Sequence, residues 1–83
     1  MSALIKSDDR LSQTVAEVLG VTPDELSEES SPDTVSSWDS LGHLNLVIAL
    51  EEEFGIRLSA DDVLAMRSVR LIRHILHQSG AEV

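Results

Sequence analysis

The chain has 83 residues, 42% of them hydrophobic, enough for one folded domain spanning 1–83 and no more. With no cysteine, disulfides, zinc–thiolate sites and thiol nucleophiles are excluded. Six Lys/Arg against fifteen Asp/Glu give a formal charge of −9, which repels nucleic-acid phosphates and anionic membranes and favours basic partner surfaces.

Near the N-terminus, Leu4 and Ile5 are too short a patch for a secretory signal. No run is long enough to span a bilayer, so the expected compartment is the cytoplasm. Residues 8–19 read as a first helix, with Leu11, Val15, Val18 and Leu19 recurring on one face. Ser7 is its expected cap, Asp8 and Asp9 sit in its first turn, and Gly20 ends it.

Residues 20–38 form a long connection, and connections this long inside small domains tend to be functional. Thr22-Pro23-Asp24-Glu25 reads as one capped turn, with Pro at its first position and Glu at its third. Ser30-Ser31-Pro32-Asp33 is loop chemistry, and Leu26, Val35 and Trp38 are expected to pin the segment to the core.

A second helix is predicted from about Ser40 to Phe54, ended by Gly55. Successive residues turn by about 100°, so Leu46, Val47, Leu50 and Phe54 share a core face. Leu41 and Ile48 fall nearly opposite Leu50, beside Asn45 and Glu52. A core cannot lie on both sides of a surface helix, so Leu41 and Ile48 are expected to be exposed. An apolar pair rimmed by charge is the pattern of a protein-docking surface.

Ser59-Ala60-Asp61-Asp62 signals a short third helix reaching about Met66. Ser68 then caps a fourth through about Gln78, with Val69, Ile72, Ile75 and Leu76 inward and Arg70, Arg73, His74 and His77 outward. Residues 79–83 are expected to fray. The expected fold is all-α: a small four-helix bundle with one short helix and a long loop between helices 1 and 2.

Asp39-Ser40 begins the second helix, and four readings compete for it. A hydrolase nucleophile would use His43 three residues on, but the Gly-x-Ser-x-Gly turn and a group to orient the histidine are missing. A metal site would rest on His74 and His77 alone, and no calcium-binding loop pattern occurs. In the plain structural reading, Asp39 is an N-cap and Ser40 the first helical residue. In the attachment reading, a phosphodiester on Ser40 sits at the positive end of the helix dipole, in reach of a modifying enzyme. Trp38 and His43 would line the mouth of any apolar space nearby, unless both are ordinary packing.

Here the chain resembles an acyl carrier protein. The resemblance rests on Asp39-Ser40-Leu41, on Leu44, Leu46, Val47 and Ala49-Leu50-Glu51-Glu52-Glu53-Phe54-Gly55, on Leu19-Gly20-Val21, and on the Met66-x-Ser68-Val69 start of the last helix. It implies that Ser40 carries 4′-phosphopantetheine, installed from coenzyme A by a phosphopantetheinyl transferase. Asp39 corresponds to the acidic residue beside that serine. Leu41, Ile48, Glu51 and Glu52 fall where the family meets its partners. The implied protein is a monomer without catalysis of its own, and it involves neither metal, nucleic acid nor membrane. It holds acyl groups as thioesters and offers them to acyl-transferring, acyl-activating or synthase enzymes with basic docking patches.

Several positions depart from the family pattern. Asn45 stands where an acid is common, Arg57, Arg67, Arg70 and Arg73 make the C-terminal half more basic, and Ser36-Ser37-Trp38 precedes the motif. These favour a specialised biosynthetic pathway over housekeeping fatty-acid synthesis. The contrasting reading is an unmodified acidic helical module that only binds another protein.

Overall fold

A computed structural model describes residues 10–81. Its order is α1 (Arg10–Leu19), a 3-10 turn (Pro23–Glu25), α2 (Ser40–Phe54), α3 (Ala60–Ala65) and α4 (Val69–Gln78). All regular elements among the described residues are therefore helical, as the periodicity predicts. Ser7, Asp8 and Asp9, the expected cap and first turn of α1, lie outside the described residues.

Local chemistry sets most helix ends. Gly20 and Gly55 adopt left-handed φ values of 72° and 65°, which a side chain would resist. Each lets the next amide return to the helix just ended: Val21 N–H donates to the Ala16 carbonyl at 3.0 Å and Ile56 N–H to that of Glu51 at 3.3 Å. Ser59 and Asp62 form a reciprocal capping box at 3.0 and 3.1 Å. Ser68 Oγ caps α4 by accepting the Leu71 N–H at 3.1 Å. In the 3-10 turn, the Glu25 carboxylate reaches back to the Thr22 N–H at 3.0 Å.

The core gathers Leu11, Val15 and Leu19 of α1, Leu46, Val47 and Leu50 of α2, and Val69, Ile72, Ile75 and Leu76 of α4, with Met66 from the α3–α4 link. Burying such side chains contributes about 1.5–3 kcal/mol each before conformational entropy is counted. The long loop joins this core through buried Trp38, while Leu26, Val35 and Phe54 pack at its edge. A radius of gyration of 11.8 Å is about that of a globular chain of this length.

One expectation fails at the C-terminus. Residues 79–81 do not fray: Gly80 takes φ 91°, Ala81 N–H donates to the Leu76 carbonyl at 3.0 Å, and Ala81 packs against the core. A left-handed glycine turns the chain back onto its own helix, which fraying would forfeit. Val83 and its neighbour lie outside the described residues. Among the described residues, no helix is long and apolar enough to cross a membrane.

Candidate functional site

The site is built where the long loop meets α2. Asp39 has extended backbone, and its Oδ1 accepts the Gly42 N–H at 2.8 Å. This satisfies one of the free donors of the first turn and fixes where α2 begins. Ser40 is then the first helical residue. It is exposed, and its side chain has no polar partner among the described residues.

Two loop contacts fix the approach to that turn. Ser37 Oγ donates to the Leu19 carbonyl at 2.6 Å, tying the loop's end to the end of α1. The Ser37 carbonyl lies against Gly42 so closely that a Cβ there would collide with it. Gly42 is thus a packing requirement within ordinary helix.

Behind the turn, Trp38 is buried and its Nε1–H donates to His43 Nδ1 at 2.9 Å. That bond makes Nδ1 an acceptor and places the ring proton on Nε2. The Nε2–H donates in turn to the Val63 carbonyl of α3 at 2.8 Å. His43 therefore joins the loop, α2 and α3, and each ring nitrogen is engaged. It is not a base for Ser40, and this removes the hydrolase reading on which that pair depended.

Beside Ser40 opens a cleft of about 450 Å³, lined by Pro32, Trp38, Asp39, Ser40, His43, Val63, Leu64 and Arg67. Trp38 and His43 line this space and also serve packing, Trp38 within the core and His43 between the loop and α3, so the two readings of them coexist. Its walls are mostly apolar, with one carboxylate and one guanidinium. A group esterified to Ser40 would enter open space there rather than a packed interior.

On the outward side of α2, Leu41 is 66% and Ile48 48% exposed, as the helical geometry predicts. Glu52 is exposed with them, and Leu44, at 56%, widens the apolar stripe. Glu51 differs: it is half-buried, and its Oε2 accepts the Leu58 N–H at 2.8 Å, holding the α2–α3 connection.

Pro32, Val63, Leu64 and Arg67 were not legible in sequence as neighbours of Ser40. They come from the loop and from the region of α3, and no local spacing brings them together. Among the described residues, no group of three or more His, Cys, Asp or Glu could hold a metal ion, and His74 and His77 lie exposed on α4.

A family model described as the phosphopantetheine attachment site matches residues 9–76. The chain is 39% identical over 62 residues to an acyl carrier protein of Zymomonas mobilis, covering 75% of this chain and 80% of that one. It is 31% identical over 71 residues to an acyl carrier protein of Bdellovibrio bacteriovorus, covering 86% and 91%. A third, from a Sulfurovum species, is 39% identical over 61 residues, covering 74% and 81%.

Proposed function

The chain belongs to the phosphopantetheine attachment-site family of acyl carrier proteins, and from that membership we propose that Ser40 is the residue that receives the arm. The carrying observation is an exposed hydroxyl without a polar partner among the described residues, on the first residue of α2 and lining an open cleft. These residues suit 4′-phosphopantetheine: Ser40 offers the ester oxygen, and the cleft offers apolar walls with a cation. When bound, the group supplies a mobile terminal thiol to which acyl groups are linked.

The chain's own residues present the hydroxyl without activating it. Asp39 holds the first turn in place. With His43 committed to Trp38 and Val63, the proton leaving Ser40 goes to a base brought by the phosphopantetheinyl transferase. The chain is then a carrier with no catalysis of its own. The single domain 1–83 is the carrier unit.

Partner enzymes, in this reading, dock on Leu41, Ile48 and Glu52, with Glu51 at the edge. The surface suits a basic, partly apolar patch on an acyl-transferring, acyl-activating or synthase enzyme, and the complex weakens with salt. Asn45, in place of an acid, makes the middle of the stripe less charged than in the family pattern. That supports a specialised biosynthetic pathway. Arg70 and Arg73 bear less on this point, because they pair internally with Glu29 and Glu28.

The test is intact mass after incubation with coenzyme A and a promiscuous transferase. Wild type should gain one phosphopantetheinyl group and Ser40→Ala none. No gain by wild type with several transferases, or an equal gain by the alanine variant, would sink the proposal.

A further inference from the structure

Arg67 differs from the arginines that pair within the described residues. Arg10 pairs with Glu53 at 3.0 Å, Arg70 with Glu29, and Arg73 with Glu28 at 2.9 Å. Arg67 is exposed, and its side chain has no polar partner among the described residues. Arg57 shares that condition but does not border the cleft. Arg67 does, together with Asp39 and Ser40. Its backbone is fixed on both sides: Met66 before it is fully buried, and Ser68 after it caps α4.

We infer that the Arg67 guanidinium pairs with the phosphodiester formed on Ser40. The inference rests on Ser40 being the attachment residue. Phosphorus would be bonded directly to Ser40 Oγ, so its two free oxygens would stand at the cleft that Ser40 and Arg67 both line. The far end of a flexible arm is not fixed in this way, so the phosphate, not the acyl group, is the ligand assigned to Arg67.

Charge argues in the same direction. The chain already carries −9, and Asp39 borders the same cleft. A phosphodiester adds another negative charge beside that carboxylate, and Arg67 is the cation placed to offset it. The planar guanidinium fork also matches two phosphate oxygens, which an ammonium does not. Pairing would hold the root of the arm toward Val63 and Leu64, on the α3 side of the cleft. Leu41 and Ile48 would then stay clear for a partner.

Wild type, Arg67→Gln and Arg67→Lys are modified to completion, as judged by intact mass, and each is compared with its unmodified form. In wild type, the Arg67 side-chain Nε–Hε resonance should move on modification. The change in thermal midpoint on modification should be about 1–5 °C more favourable in wild type than in Arg67→Gln, with lysine between them. At roughly 1 M salt the gap should close. An equal midpoint change in wild type and Arg67→Gln at low salt, or an unmoved Arg67 resonance, overturns the pairing while leaving attachment intact. Failure of wild type to gain mass removes the attachment reading and this inference with it.

Discussion

Gly42 shows how one residue can be required by something outside its own helix. Its backbone is ordinary helix, where alanine normally improves stability by about 1 kcal/mol over glycine. Here the Ser37 carbonyl occupies the space a Cβ would need. Gly42→Ala should therefore reverse the usual sign and destabilise the protein by about 1–3 kcal/mol, measured by urea unfolding. A stabilised variant would mean that the loop yields easily. Asp39 as a cap was legible in sequence, because a cap and its amide are three residues apart. The role of Gly42 was not, since the Ser37 carbonyl reaches it only after the loop folds back. His43 was partly legible: an imidazole near a core face needs polar partners, but only packing brings the Val63 carbonyl to it.

At the scale of elements, α2 presents a core face and an exposed apolar face. Simple rotation about its axis was enough to place Leu46 and Leu50 inside and Leu41 and Ile48 outside. The acidic end is less uniform than the run Glu51-Glu52-Glu53 suggests. Glu53 pairs with Arg10, Glu51 holds the Leu58 amide, and Glu52 is exposed. Substituting Glu51 thus tests its structural bond together with the proposed docking. Glu51→Lys should cost about 1 kcal/mol of folding stability through the unsatisfied Leu58 amide, whereas Glu52→Lys should stay within about 0.5 kcal/mol of wild type. Chemical denaturation of both variants checks this, and equal losses would remove the structural role given to Glu51.

Over the whole molecule, the long loop is clasped to α4. The Ser30 carbonyl accepts the Val69 N–H at 3.1 Å and the Glu28 carbonyl accepts the Arg70 N–H at 2.9 Å. Both amides belong to the first turn of α4, where helical partners are lacking. Glu28 and Glu29 add their carboxylates to Arg73 and Arg70, and the hydrogen bond that Arg70 donates to the Glu29 carboxylate raises the Arg70 pKa above its ordinary value. In native-state hydrogen exchange, the Val69 and Arg70 amides should exchange roughly tenfold or more slowly, relative to intrinsic rates, than those of Ala60 and Asp61 at the start of α3. Equal protection would mean that the clasp opens freely. Closure of this kind brings the loop's other end, with Trp38 and Ser37, to a fixed place beside α2.

The sequence by itself determined the helices, most of their ends, the two faces of α2 and the serine at its start. All of these depend on residues within a turn or two of one another, where periodicity and capping act. Tertiary structure decided the rest: Gly42 against Ser37, His43 between Trp38 and Val63, Glu51 on the Leu58 amide, and Arg67 on the same cleft as Ser40. Those relations depend on how the helices and loop pack, and burying the core against α4 and the long loop brings distant residues together around one hydroxyl.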